Sequence, residues 1–149
     1  MLKIEYTYKF ALPKSTVWTY IQDEDVLRNS LPGCKSFEEI TSDVYVAELG
    51  LNTGPVKGLF AAEVQQTDQI PPNSYRLHVK GKGKPGEINA IAEMFLEETG
   101  DSTEVACIAE VEVTGLLAAV GQRVLGGVAK VILGQFFKAA EKEMVKVIS

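Results

Sequence analysis

Residues capable of acid–base or nucleophilic chemistry are few in this sequence, and their spacing does not bring them together. The one histidine, His78, falls on the polar side of an alternating segment, and no serine or carboxylate can be tied to it as a triad. Cys107 falls on the apolar side of another segment, where a free cysteine usually behaves as a small hydrophobic residue. Cys34 lies beside a turn, with nothing near it in sequence to lower the pKa of its thiol. We therefore expect no catalytic residue.

Metal and phosphate sites are not expected either. The two cysteines form neither a disulfide framework nor a ligand pattern with metal spacing, so no metal and no cofactor is predicted. The segment from Lys80 to Glu87, KGKGKPGE, is glycine-rich and basic, but it lacks the spacing of a phosphate-binding loop and no helix follows it. We interpret it as a mobile, solvated hairpin; contact with an anionic partner or a lipid headgroup is the alternative.

Length and charge exclude several classes of protein. The chain has 149 residues, which suits a single domain covering residues 1–149. Its net charge of −5 argues against a nucleic-acid-binding protein, which would carry a basic face. The N-terminus lacks a signal-peptide core, and no apolar run is long enough to span a membrane. A cytoplasmic protein is the simplest interpretation, with contact at the inner face of the membrane left open.

Alternation of apolar and polar residues predicts seven β-strands. The first occupies residues 3–10, with Ile4, Tyr6, Tyr8 and Phe10 on one face. Two short helices should follow, one starting near Pro13 and one capped by Asp23, before Pro32–Gly33 ends them. Six more strands with turns between them are predicted over residues 37–41, 44–51, 56–64, 75–80, 88–96 and 105–113. The glutamates that alternate with apolar residues in the last two strands should form a solvated sheet face: Glu87, Glu93, Glu97, Glu104, Glu110 and Glu112.

A long helix is predicted from Leu116 to Ile148, a stretch without proline. One apolar stripe contains residues at helical spacing: Leu117, Gly121, Leu125, Val128, Ile132, Phe136 and Ala139. The other side carries further apolar residues, Leu133, Phe137 and Met144. Four glycines interrupt the helix, each unfavourable by roughly 1 kcal/mol relative to alanine. They leave room for a close backbone or a ligand, or the helix is a poor one held by tertiary packing.

This order of elements predicts an α+β fold. Consecutive antiparallel strands normally form a meander, and the last helix is the one partner long enough to cover the apolar face of a seven-stranded sheet. We therefore expect a curved seven-stranded antiparallel sheet wrapped around the C-terminal helix, with two short helices after strand 1. Small inward residues opposite the helix glycines predict an internal cavity, unless larger neighbours fill the space. These residues are Gly58, Ala62, Ala90, Ala92 and Ala109.

Five sequence blocks resemble one known family. These blocks are VWTYIQDEDVL (17–27), LPGCKSFEEI (31–40), GPVKGLF (54–60), AEVEVTGLLAAVGQRVL (109–125) and QFF (135–137). They are similar, in the same order, to the carbon monoxide dehydrogenase G-subunit family, which has the START-like, helix-grip architecture. The resemblance implies a non-catalytic accessory protein, implicated in tethering a molybdenum-containing dehydrogenase to the membrane or linking it to the quinone pool. Longer members carry an extra C-terminal segment for membrane attachment; that route is not expected in a sequence ending at Ser149.

The leading hypothesis is a protein that binds a hydrophobic or amphipathic small molecule, quinone- or lipid-like, between the sheet and the long helix. Trp18, Ile21 and Leu31 should form the mouth. The remaining cavity residues are predicted from the two inward faces: Phe60, Leu77, Met94, Val111, Leu117, Gly121, Leu125, Val128, Ile132 and Gln135. For Gln135 the alternatives are a hydrogen bond to the polar end of a ligand and solvation at the cavity rim.

Two other hypotheses stay open. In the first, the protein is a docking or membrane-recruitment module for a molybdenum hydroxylase, or a homodimer, with Leu133, Phe137 and Met144 as its exposed docking stripe. In the second it is an enzyme, since superfamily relatives act as cyclases or hydrolases. An enzyme needs a polar constellation inside the cavity, and the sequence places almost none there.

Overall fold

The computed structural model describes residues 1–149 and contains one seven-stranded sheet and three α-helices. The strands are β1 (Leu2–Phe10), β2 (Cys34–Thr41), β3 (Val44–Thr53), β4 (Val56–Ile70), β5 (Ser74–Gly83), β6 (Gly86–Thr99) and β7 (Ser102–Val113). The helices are α1 (Lys14–Ile21), α2 (Glu24–Ser30) and α3 (Gln122–Ile148), with a short 3₁₀ helix at Gly115–Ala119. This order confirms the predicted α+β architecture.

The sheet is a meander in which every neighbouring pair is antiparallel. Its strand order is β1-β7-β6-β5-β4-β3-β2, so each strand from β2 to β7 pairs with the next one in sequence. β1 pairs instead with β7, in register from Leu2 opposite Val111 to Phe10 opposite Thr103. Since β1 and β2 lie at opposite edges, the two short helices carry the chain across the sheet. Most strands extend beyond their predicted bounds, because alternation weakens near strand ends while the hydrogen-bond ladder continues.

The segment KGKGKPGE forms the hairpin between β5 and β6, with most of its residues paired in the sheet. β5 runs to Gly83 and β6 begins at Gly86, opposite it, which leaves a two-residue turn at Lys84–Pro85. Gly86 has φ +143°, and a Cβ there would lie 2.0 Å from the carbonyl oxygen of Thr114. Glycine is required at this position because the turn packs directly on the backbone that follows β7.

The two short helices begin where their sequences suggest, and α2 has a side-chain cap. Pro13 precedes the first residue of α1, and the Asp23 side chain accepts a hydrogen bond from the Val26 N–H at 3.0 Å, which satisfies an otherwise free helical donor. The Arg28 guanidinium donates to the carbonyl of Phe37, which connects α2 to β2. α2 is therefore held against the edge strand β2, whereas α1 packs on β6 and β7.

The long helix begins later than predicted. The residues from Gly115 to Ala119 form a 3₁₀ turn, whose Leu117 N–H donates to the carbonyl of Pro85 at 3.0 Å. Gly121 then adopts φ +97°, a conformation outside the helical region, and α3 starts at Gln122. The apolar stripe therefore starts on a separate turn and not on the helix itself, because glycine allows a break that the apolar spacing does not reveal.

α3 is buried on more than one side. The Phe137 ring is fully buried and stacks against Tyr6 and Tyr8, with ring centroids 5.9 and 5.7 Å apart. Met144 is also fully buried in the main core cluster. The prediction that Leu133, Phe137 and Met144 form an exposed docking stripe is therefore wrong. The physical reason is that α3 packs against β1 and α2 as well as the concave sheet face, so its second apolar side is covered too.

The helix glycines have different surroundings. A Cβ at Gly134 would lie 2.9 Å from the hydroxyl oxygen of Tyr6, so this glycine allows α3 to lie close to β1. A Cβ at Gly127 would meet nothing within 4 Å, and one at Gly126 would only touch Leu2 at 3.9 Å. The expectation that glycine makes room in the helix thus applies to Gly134, and the room is taken by a protein side chain.

Candidate functional site

An apolar cavity of about 360 Å³ lies between the concave face of the sheet and α3. Of the 31 residues that line it, 30 are hydrophobic. This volume and this composition are typical of sites that bind small apolar ligands, which range from roughly 300 to 1,000 Å³. The predicted internal cavity is therefore present.

The cavity exists because the inward side chains near the centre of the sheet are small. Ala62 on β4, Ala90 and Ala92 on β6, and Ala109 on β7 all line it. Gly58, also expected to face the cavity, does not line it, since the ring of Pro85 lies 3.3 Å from the position of its Cβ. Curvature keeps α3 away from the alanine side chains, and so the space above them stays open.

The structure places eight of the predicted cavity residues on the cavity wall. They come from α1, from the residue that follows α2, from the sheet and from α3: Ile21, Leu31, Leu77, Met94, Val111, Leu125, Val128 and Ile132. Leu133 and Phe137, which were predicted to face a partner, also contribute to this wall. Residues on two sides of α3 thus reach the cavity, because the sheet curves around the helix.

Five predicted residues lie elsewhere. Phe60 and Leu117 are buried in a small cluster with Val56 and Leu125, and of these four only Val56 and Leu125 reach the cavity. Gly121 and Gln135 are exposed, Gly121 because it precedes α3 and Gln135 because it lies on the solvent side of the helix. Trp18 packs edge to face on Tyr75, at a ring distance of 5.6 Å, and lines a separate outer recess. For Phe60, Leu117, Gly121 and Gln135 the predicted position on the cavity wall is wrong, whereas Trp18, predicted at the mouth, lies off the wall in a recess that shares Gln66 with the cavity.

The one polar residue on the cavity wall, Gln66, was missed by the sequence reasoning. It follows Phe60, Ala62 and Val64 on the inward face of β4, and its side chain is 6% exposed. The strand predicted from alternation ends at Val64, whereas β4 continues to Ile70. Extending the same two-residue period by one step would have identified Gln66 as an inward-facing amide.

Gln66 also lines the outer recess, which has a different character from the cavity. Its other lining residues come from the end of α1, the β2–β3 turn and the paired ends of β3 and β4: Trp18, Thr19, Gln22, Asp43, Tyr45 and Gln69. Most of them carry hydrogen-bonding groups, and none is a lysine or an arginine. An apolar cavity and a polar recess therefore meet at one side chain.

The titratable groups on the cavity wall are neutral near pH 7. Burial raises the pKa of the Cys107 thiol to about 11, and burial also raises the pKa of the Tyr75 hydroxyl. Neither group is therefore ionised to act as a nucleophile or a base. His78 lies on the other face of the sheet, where its ring contacts the Thr67 hydroxyl at 3.2 Å, and burial raises the pKa of Cys34 as well. No group of three or more His, Cys, Asp or Glu side chains is placed to hold a metal ion.

The helices of this structure are not of the kind that crosses a membrane, since none combines sufficient length with sufficient apolarity.

Comparison with known proteins places this geometry in a family. The sequence model of CoxG, the G-subunit family of carbon monoxide dehydrogenase, matches residues 8–145. A conserved protein from Geobacillus kaustophilus is 37% identical, with a TM-score of 0.93 over 97% of this chain and 96% of that one. No curated protein matches the chain.

More distant structures share the fold. A START superfamily protein from Mycobacterium smegmatis is 13% identical, with a TM-score of 0.76 over 97% of this chain and 98% of that one. The Zhui aromatase/cyclase from Streptomyces is 13% identical, with a TM-score of 0.70 over 99% of this chain and 95% of that one. The architecture is thus START-like, as the sequence resemblance implied. Since this fold occurs in an enzyme as well, the fold alone does not decide between binding and catalysis.

Proposed function

This chain belongs to the CoxG family of carbon monoxide dehydrogenase, and we propose that it is a non-catalytic accessory protein that holds a hydrophobic or amphipathic small molecule, quinone- or lipid-like, in the cavity between the sheet and α3. The observation that carries the proposal is the cavity itself. It is about 360 Å³ in volume and has a single polar residue among the 31 that line it. Water gains few hydrogen bonds in such a space, whereas an apolar molecule leaves water on entering it.

The chemistry of the wall supports binding over catalysis. An enzyme of this fold needs an acid, a base or a nucleophile within reach of the ligand. The wall offers Cys107 and Tyr75, both held in their neutral forms by burial, and one amide. These groups can donate or accept hydrogen bonds, but none of them is poised to exchange a proton at neutral pH.

Native mass spectrometry of the protein as purified tests the proposal, followed by denaturing extraction of any bound molecule. We expect an added mass that is released on denaturation and that partitions into organic solvent. Apo protein should take up ubiquinone analogues or a monoacyl lipid when it is incubated with them. Protein that stays empty in both experiments would refute the binding function.

A cavity-filling variant tests where the ligand lies. Leu125 is buried on α3 and its side chain forms part of the cavity wall. Leu125→Trp should occupy the space and abolish uptake, while the far-ultraviolet circular dichroism stays that of the native protein. Uptake by the folded variant at the native level would mean that the ligand sits elsewhere.

A second candidate function is docking to a carbon monoxide dehydrogenase-type molybdenum hydroxylase. The outer surface of α3 supports it. Val124, Val131 and Val145 recur at multiples of seven residues on the outer side of α3, and each is about half exposed, at 49%, 50% and 46%. Residues seven apart share one side of a helix, so the three valines lie on one side of α3, where Lys138 separates Val131 from Val145.

Charge substitution tests this second function. Val131→Asp should weaken co-purification with the dehydrogenase and leave the melting temperature unchanged. Ile70→Asp is the matched control, since Ile70 is 60% exposed at the far end of β4. Equal behaviour of the two variants would exclude the outer side of α3 as the docking surface.

A further inference from the structure

Gln66 is a largely buried residue whose side-chain amide still reaches solvent. Its backbone N–H donates to the carbonyl of Asp43 at 2.8 Å, which fixes the end of β4 beside the β2–β3 turn. The residue is 6% exposed, and its amide is not among the fully buried side-chain atoms without a hydrogen-bond partner, which are Ser30 Oγ and Arg76 Nε. The amide can therefore exchange hydrogen bonds to water for hydrogen bonds to a ligand.

The position of Gln66 identifies what its amide faces. It lines both the apolar cavity and the polar recess, and so it lies at the boundary of the two. A ligand whose apolar part filled the cavity would end at this amide. The recess beyond supplies further hydrogen-bonding groups for a polar end, including the amides of Gln22 and Gln69 and the hydroxyl of Thr19.

The charges around the recess determine which headgroups of a ligand it can accept. Asp43 lines it directly, and no lysine or arginine does. Burial and the nearby carboxylates of Glu39, Asp43 and Glu24 raise the pKa of Tyr45 to about 12. An anionic headgroup would therefore lie in a negative potential with no lysine or arginine of the recess to pair with.

We propose that Gln66 binds the uncharged polar end of the ligand through its amide, so that the protein takes neutral amphiphiles with a carbonyl or hydroxyl group in preference to carboxylates and phosphates. This inference depends on the proposed binding function and adds the class of ligand and the residue that selects it. The side-chain NH₂ of Gln66 donates to a carbonyl or hydroxyl oxygen, and the side-chain carbonyl accepts from a hydroxyl group. A carboxylate has no hydrogen-bond donor to offer that carbonyl at neutral pH.

Two probes of equal chain length test the proposal: 1-dodecanol and dodecanoate, at pH 7.5. Binding is followed by calorimetry and by the fluorescence of Trp18, the one tryptophan of the chain, which lines the recess beside Gln66. We expect the native protein to bind the alcohol about tenfold or more tightly than the carboxylate, because the carboxylate would lie near Asp43 with no cation in the recess to pair with.

The variant and its control are neighbours on β4. Gln66→Leu should lower the affinity for the alcohol about fivefold, the usual size of one lost hydrogen bond. Gln65→Leu changes an exposed residue on the outer face of the same strand and should change neither affinity nor preference. Gln66→Met, similar in length to glutamine, repeats the test should the leucine variant fail to fold.

The outcomes distinguish a failure of the role assigned to Gln66 from a failure of the proposed binding function. Equal affinities for alcohol and carboxylate, or an unchanged alcohol affinity in Gln66→Leu, would refute the assignment of Gln66 and leave the binding function intact. Tighter binding of the carboxylate would refute the class of headgroup. Failure of both probes to bind the native protein would refute the proposed binding function itself.

Discussion

The size of the cavity sets how the affinity for a homologous series of ligands depends on chain length. Each methylene group transferred from water to an apolar wall contributes about 0.8 kcal/mol. At 25 °C this corresponds to an approximately fourfold lower Kd per added methylene. A series of 1-alkanols from six to eighteen carbons should therefore show a steep, regular increase in affinity while the cavity is filling.

The increase should end when the cavity is full. An apolar cavity of about 150 Å³ in another protein holds benzene, which has six carbon atoms. In proportion, the 360 Å³ found here holds about 14 carbon atoms. Chains longer than this would leave their extra methylene groups in water, so the affinity should level off near tetradecanol.

Two adjacent alanines on β4 provide the variant and the control. Ala62 lines the cavity, whereas Ala61 faces solvent on the other side of the sheet. Ala62→Leu adds three carbon atoms to the cavity wall, so the plateau should move to about 11 carbons. Ala61→Leu should leave it near 14 carbons. Calorimetry gives the Kd of each alcohol, and native mass spectrometry gives the stoichiometry, which should be one.

Three results would refute this reasoning. Affinity independent of chain length would mean that the apolar part of the ligand stays in water. A continued increase through octadecanol would mean that the chain runs along a surface groove and not into a closed space. Identical plateaus in Ala62→Leu and Ala61→Leu would show that the ligand does not contact this part of the sheet.

Three further predictions concern the framework around the cavity. Phe137→Ala should lower the free energy of unfolding by about 3–5 kcal/mol in urea titrations, because the ring is fully buried. An unchanged free energy of unfolding would mean that the ring lies on the surface after all. In thermal melts, Gly127→Ala should stabilise the protein by up to about 1 kcal/mol, whereas Gly134→Ala should destabilise it by collision with a tyrosine; equal effects would contradict the close approach of α3 to β1. The pKa values of Tyr8 and Tyr45 are raised to about 12, Tyr8 mainly by burial and by its hydrogen bond to a glutamate. The folded state therefore binds the protons of these two hydroxyl groups more tightly than the unfolded state does. The free energy of unfolding should be at its full value below pH 10 and decline toward pH 12, less steeply in Tyr8→Phe. Urea titrations across this pH range measure the decline.

Much of the fold could be predicted from the sequence because its signals are local. A two-residue alternation identifies a half-buried strand without knowledge of its partner, and seven such segments in succession imply a meander. The Asp23 cap and the start of α1 beside Pro13 likewise depend on residues a few positions apart. Side-chain period and turn chemistry act within a few residues, so these elements were placed correctly before any tertiary contact was known.

The site was less predictable because its limits depend on distance. Alternation shows that Phe60 and Ala62 share a face, but Phe60 is buried in a cluster off the cavity wall while Ala62 borders the cavity. Phe137 was wrongly predicted to be exposed for the same reason, because its burial depends on β1 and α2 packing against a second side of α3.

The sequence by itself determined the elements, their order, the small residues beneath the helix and the family to which the chain belongs. Only the tertiary structure decided which inward residues meet a neighbour and which meet a void, and where α3 begins after Gly121. It also brought the amide of Gln66 to the boundary between the cavity and a polar recess built from three separate parts of the chain. Local periodicity specifies the direction of a side chain, whereas sheet curvature and the position of α3 specify what lies opposite it.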